Sequence, residues 1–189
     1  MATTDFNSLD KLIAKWRLGK IIKLIYEGDT VFDFGCGSQG YFLNRMAVKI
    51  KSGVGLDFGT EDKTVGNLMF INCKFKDKLP STLGKFDKVV MLAVLEHLEP
   101  KTAELLFGEF SRILKSKGRI ILTTPTLISK PFLEFMAFLG LISRKEIKDH
   151  KKYYDQKSIT DLAGKTGYRV NSYRLFQLGL NSVAVLEKI

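Results

Sequence analysis

The sequence predicts a doubly wound α/β fold, and three observations carry that reading. Apolar runs of strand length alternate with amphipathic stretches of helix length, a glycine-rich turn follows the first run, and no internal repeat or linker divides the 189 residues. Alternation of this kind implies a mostly parallel sheet with helices on both faces, here of seven strands with an antiparallel strand at the C-terminus. Residues 1–189 read as a single domain, since one chain of this size with 45% hydrophobic residues can fill one core.

The first element is a helix within 1–27. Ser8 is a plausible N-cap, and Leu9, Leu12, Ile13, Trp16, Ile21 and Ile25 form an apolar stripe up to Tyr26, opposite Lys11, Lys15 and Lys23. Glu27-Gly28-Asp29 turns into a strand at Thr30–Phe34, and the glycine turn leads to a helix at about Gln39–Lys49. Strands follow at Ser52–Asp57 and Leu68–Asn72. Only Phe58 to Asn67 separates them, which requires a short or irregular helix.

Phe86–Leu92 is the fourth strand. A helix from Lys101 or Thr102 to Leu114 buries Leu106, Phe107, Phe110, Ile113 and Leu114, and Lys115-Ser-Lys-Gly118 stops it with glycine in the helix-end position. Arg119–Thr124 is the fifth strand. Residues 127–154 then form an insertion too long for a plain loop, with the apolar run Phe132–Ile142, and read as a lid after the end of a strand. A helix starting at Asp155 or Ser158 and ended by Gly167 precedes strands Arg169–Phe176 and Asn181–Glu187. Those two are joined by a few residues, so they pair antiparallel.

Composition narrows the classes of function. No stretch of about 18 or more apolar residues occurs, and the N-terminus is not a signal peptide, so a cytoplasmic protein is expected. Cys36 and Cys73, the two cysteines, lack a metal-binding spacing and read as reduced thiols. The net charge of +10 is spread along the chain. Its local concentrations are Lys74, Lys76 and Lys78, and the group Arg144, Lys145, Lys148, Lys151 and Lys152. Both read first as solvated surface, with anionic substrate, nucleic acid or lipid headgroups as the alternatives.

Function is written in the first strand-turn-helix. Val31-Phe-Asp-Phe-Gly-Cys-Gly-Ser-Gln-Gly40 satisfies the Rossmann-like Gly35-x-Gly37-x-x-Gly40 spacing, and Asp57 ends the second strand where ribose hydroxyls are held. That spacing alone fits an NAD-binding oxidoreductase. Three features point elsewhere. Asp33 places an acid where dinucleotide sites carry an apolar residue. Phe86-Asp-Lys-Val-Val-Met-Leu-Ala-Val-Leu-Glu-His-Leu-Glu-Pro100 has the form FDxVxxxxVLEHL, and Arg112-Ile-Leu-Lys-Ser-Lys-Gly-Arg-Ile-Ile-Leu-Thr-Thr-Pro125 follows as helix, glycine turn and strand.

In these blocks, over about residues 30–125, the chain resembles the class I S-adenosylmethionine-dependent methyltransferase superfamily, within it the small-molecule, ubiquinone-biosynthesis-like type 11 subgroup. The resemblance implies S-adenosylmethionine as methyl donor, with S-adenosylhomocysteine as product. It implies that Asp33 organises the methionine end, that Gly35, Cys36, Gly37 and Gly40 line it, and that Asp57 takes the ribose hydroxyls. Phe58 and Phe75 then flank adenine, and Leu92 and Ala93 offer backbone near the sulfonium. Two positions depart from the family pattern. Gln39 stands where the third glycine usually falls, and Lys74 stands where an acid reads the adenine amine, leaving Asp77 or a backbone carbonyl for that role.

Sulfonium chemistry asks mainly for alignment and exclusion of water, with a general base where the acceptor is a weak acid. His97 is the candidate base and His150 a second candidate on the substrate side, against structural or surface roles for both. Glu96 and Glu99 read as loop-ordering or solvated, and no metal site is expected. The expected reaction is methyl transfer to a small-molecule or lipid- or glycan-linked acceptor, with peripheral membrane contact through residues 132–152 as a further expectation. RNA methylation, favoured by charge, and a non-catalytic binding protein, favoured by Gln39 and Lys74, stay open beside the NAD-binding oxidoreductase.

Overall fold

The computed structural model describes residues 16–131 and 151–189. The chain builds one eight-stranded sheet in the order β3-β4-β2-β1-β5-β6-β8-β7. These strands are β1 (Thr30–Phe34), β2 (Ser52–Asp57), β3 (Lys63–Val65), β4 (Leu68–Asn72), β5 (Phe86–Leu92), β6 (Leu114–Pro125), β7 (Tyr168–Phe176) and β8 (Asn181–Lys188). β4, β2, β1, β5 and β6 run parallel, β8 is antiparallel to both β6 and β7, and β3 is antiparallel to β4.

The four parallel strands read most directly from the sequence keep their expected bounds because each is an apolar run. In β1 the four residues after Thr30 are all buried. Two apolar layers sandwich the sheet. On one face α1, whose described part is 16–21, and α2 (Tyr41–Met46) supply Leu18, Ile21, Phe42, Leu43 and Met46 against Val31, Val90 and Ile121. On the other, α3 (Pro100–Ile113) and α4 (Gln156–Lys165) supply Leu106, Phe107, Phe110, Ile159 and Leu162 against Phe32, Val89, Met91 and Leu122.

The differences from expectation have physical causes. The sheet has eight strands because 58–67 forms no helix: Lys63–Val65 folds back on β4 as a short, fully exposed edge strand. α1 gives way to a 3-10 turn at Ile22–Leu24, with Ile25 already extended, so the helix does not run to Tyr26. α2 is shorter than expected because Gly40, its N-cap, sits in the left-handed region at φ 58°. α3 ends without help from Gly118. Leu114 turns extended at once, and β6 passes from Leu114 to Arg119 while β5 passes from Phe86 to Lys88, which makes 115–118 a bulge. A Cβ on Gly118 would lie 2.7 Å from the Leu114 side chain and 3.1 Å from the Phe86 carbonyl oxygen.

Of the insertion, the structure describes a turn at 127–128, a helical turn at 129–131 and the returning stretch 151–154. The run Phe132–Ile142, His150, Arg144, Lys145 and Lys148, and the capping residue Ser8 with Leu9 to Lys15, lie outside the described residues. The crossover from β4 to β5 carries no helix. It leaves a groove of about 460 Å³ over Val54, Met69 and Ile71, walled by Thr82 to Phe86, toward the strand ends away from the glycine turn.

Candidate functional site

The strand order reverses between β1 and β5, and open parallel sheets bind ligands above such a point, at the C-terminal strand ends. There β1 runs into the glycine turn. The Gly35 and Cys36 N–H groups both donate to the Leu56 carbonyl, at 2.8 and 3.3 Å. Gly35 and Gly37 have φ of 77° and 71°, a region open to glycine at no steric cost. The turn is latched to the end of β2: Gly37 N–H donates to Asp57 Oδ2 at 3.0 Å, and Gly59 N–H to Asp57 Oδ1 at 2.7 Å. Each carboxylate oxygen retains a lone pair for another donor.

Residues after β2 close this side. Thr60, buried, donates from its hydroxyl to the Ser38 carbonyl at 3.4 Å, and Asn72 Nδ2 donates to the Thr60 carbonyl at 2.7 Å. Neither Thr60 nor Asn72 stands out in the sequence. The available signal was the parallel register that sets Asn72 beside Asp57.

Asp33 is 2% exposed beneath the turn. Burial, with the Asp57 carboxylate adding to it, pushes its pKa up to about 8. A buried acid held out of ionisation in this way is set to pair with a cation. Burial and the same two carboxylates also push the Cys36 thiol up, so it is no nucleophile at neutral pH. Cys36 instead fills the space left by Gly55, whose added Cβ would lie 2.8 Å from Cys36 Sγ.

The opposite wall comes from the loop after β5. Ala93 takes φ 56°, unusual for a residue with a side chain, and its N–H donates to the Thr123 carbonyl at 3.0 Å. Val94 presses on the glycine turn: a Cβ on Gly35 would lie 2.4 Å from Val94 Cγ2. Leu95–His97 is a 3-10 turn in which His97 N–H donates to the Val94 carbonyl at 3.0 Å, and His97 is half-buried.

Glu96 is buried, not solvated. It is 1% exposed, accepts from the Thr124 hydroxyl at 3.2 Å, and through its carbonyl receives the N–H groups of Lys151 and Lys152 at 2.7 and 3.3 Å. Burial raises its pKa to about 7 against the opposing pull of Arg17 on α1. Thus one loop residue ties β6, the stretch returning from the insertion, and α1. Glu99 is exposed and pairs with Lys151 at 3.8 Å.

The remaining expected contacts spread along the β2 and β4 ends. Phe58 follows Asp57 and is 48% exposed. Phe75 is half-buried and packs edge-on against Phe34 at 5.8 Å between centroids. Lys74 and Asp77 are exposed, Leu92 is half-buried, and Gln39 faces solvent while its carbonyl accepts from Asn44 Nδ2 at 2.7 Å. Gly40 meets the sheet: a Cβ there would lie 2.0 Å from the Phe70 ring.

A Cβ built on Gly37 meets nothing within 4 Å, so the turn is open to its surroundings there, and Asp33 is the buried acid beneath it. Among the described residues no cluster of histidine, cysteine and acids has the makings of a metal site.

Compared by sequence with curated proteins, the chain matches none. Solved structures share its fold. CalO1, a methyltransferase in calicheamicin biosynthesis solved with S-adenosylhomocysteine, aligns at 16% identity and TM-score 0.71 over 96% of this chain and 55% of its own. The pyocyanin biosynthetic protein PhzM aligns at 14% identity and TM-score 0.69 over 96% of this chain and 57% of its own. The chain thus spans little more than half the length of these two. The PH0226 protein from Pyrococcus horikoshii OT3 matches end to end, at 20% identity and TM-score 0.72 over 98% of this chain and 95% of its own. Residues 8–173 match the methyltransferase domain family. With that match over most of its length, the chain belongs to the methyltransferase domain family.

Proposed function

We propose that this chain transfers a methyl group from S-adenosylmethionine to a small-molecule or lipid- or glycan-linked acceptor. The observation that carries the reading is the glycine turn latched to Asp57 with Asp33 buried beneath it. In this proposal Asp33 balances the cationic methionine end, the turn formed by Gly35, Cys36, Gly37 and Gly40 lets backbone approach it, and Asp57 holds the ribose. Phe58 and Phe75 border the adenine, and the main chain at Leu92 and Ala93 faces the sulfonium. The donor supplies an activated methyl group, so the protein's work is alignment and exclusion of water.

His97 is placed in this reading to take the proton that an oxygen acceptor loses, while an amine acceptor that arrives deprotonated needs no base. His150 belongs to the acceptor side of the same proposal. Support for an acceptor other than a nucleic-acid base comes from the loop Ala93-Val-Leu-Glu-His97, which lacks the Asn/Asp-Pro-Pro-aromatic sequence that stacks a base.

Calorimetry with S-adenosylmethionine and S-adenosylhomocysteine tests the donor site. Both should bind, and Asp57→Ala should weaken them about 10-fold to 100-fold, the loss of charge-assisted hydrogen bonds. Tight NADH binding without response to either adenosyl ligand would overturn the reading. Methyl-labelled donor in a cell extract then names the acceptor: label in a small or lipid-soluble product supports the proposal, and label in RNA contradicts its acceptor class.

A further inference from the structure

Thr126, just past β6, is joined to the tip of the β7–β8 hairpin. Its N–H donates to the Leu180 carbonyl at 3.0 Å and its hydroxyl to the Gly179 carbonyl at 2.7 Å. The turns 126–131 and 177–180 therefore form one rim, at the same sheet end as the glycine turn. Its apolar residues face outward: Leu127 is 56% exposed, Ile128 69%, Leu175 54% and Leu178 101%.

Leu178 has no role in the fold that explains it. Gln177, Leu178 and Gly179 follow one another at φ 53°, 57° and 86°, a turn that favours Gly, Asn or Asp. Leucine there accepts a left-handed backbone and buries nothing of itself. The charges beside it have one sign. Lys130 and Arg174 are exposed, and neither 123–131 nor 174–182 contains an acid, in a chain of net charge +10. A patch that is apolar at its tip and basic at its flanks matches an anionic lipid interface, where side chains enter the headgroup layer and cations meet lipid phosphate. No described helix is long and apolar enough to cross a membrane.

We propose that the rim formed by Leu127, Ile128, Leu175 and Leu178, flanked by Lys130 and Arg174, docks this end of the sheet on an anionic lipid bilayer. Resting on the methyl-transfer reading, this makes the acceptor a molecule presented at that surface. The hairpin enters the interface at the sheet end that also carries the glycine turn.

Vesicle co-sedimentation of the full chain tests the surface. Phosphatidylcholine vesicles containing phosphatidylglycerol should pull the protein down at low salt, and pure phosphatidylcholine should not. Leu178→Asn, which suits the left-handed turn, and Ile128→Ser should each lower partitioning about 10-fold, as expected for one large side chain withdrawn from the apolar layer. Lys130→Gln with Arg174→Gln should weaken binding to the anionic vesicles, and raised salt should then weaken it less than in wild type. Calorimetry with S-adenosylhomocysteine should give wild-type affinity in every variant, which shows them folded and reports the donor site separately. Absence of binding to anionic vesicles, or equal binding by wild type and Leu178→Asn, would overturn the proposal. So would a dimer in sedimentation that Leu178→Asn dissociates without any vesicle binding. Vesicle binding by a protein that ignores S-adenosylhomocysteine would sink the methyl-transfer reading and leave the docking surface standing.

Discussion

Asp33 sets a conflict between stability and binding at a single residue. Its pKa rises from 3.8 to about 8 because burial, then the neighbouring Asp57, disfavours the charge. An acid with a raised folded-state pKa holds its proton more tightly folded than unfolded. The stability it confers is complete below 3.8 and is lost as pH rises through about 8. Ligand-free Asp33→Asn should therefore melt a few degrees above wild type at about pH 9 and lose that advantage near pH 4, which a pH series of thermal melts checks. Donor affinity should move the other way. In wild type it grows up to about 10-fold per pH unit below pH 8 as the carboxylate ionises against a cationic ligand, and in Asp33→Asn it is weak and flat. Glu96, raised to about 7, titrates in both proteins, so the difference between them isolates Asp33.

At the scale of elements, α4 shows how local chemistry fixes a boundary. Asp155 Oδ1 accepts from Ser158 N–H at 2.8 Å, and Asp155 N–H donates to Ser158 Oγ at 2.9 Å, a reciprocal capping box. The Ser158 hydrogen bonds hold the Asp155 carboxyl below its usual range. Asp155→Ala should cost about 1 kcal/mol in denaturant unfolding at neutral pH, less as pH falls through the carboxylate range. This start was legible because cap, helix and stop are neighbours in sequence. β1, β2, β4 and β5 were legible for a like reason, each being a short apolar run. β3 was not, since three exposed residues without alternation owe their strand to pairing with Phe70, Met69 and Leu68. Gly118 misled: it resembles a helix stop, and its constraint is the crowded bulge facing Phe86. The same division holds in the site. The glycine spacing and Asp57 are visible as a pattern, whereas Glu96 became a buried tie only when Thr124, Arg17 and residues 151–152 arrived from distant parts of the chain.

Across the whole molecule, the two halves of the sheet do different work. β1, β2 and β4 carry the turn, Asp57 and Asn72, while β5, β6 and the closing hairpin carry Ala93, Glu96 and the exposed rim. The halves touch above the switch point through Gly35 and Val94, with no room for one added carbon between them. In the proposed reading, a ligand that orders the glycine turn would order the loop after β5 through this contact. Hydrogen exchange gives the measurement: S-adenosylhomocysteine should slow exchange at 94–98 and 151–152 in wild type, and in Val94→Ala should slow it only around the glycine turn. The missing Cβ of Gly35 thus does more than free a turn: it is the seam at which the two walls are held in register.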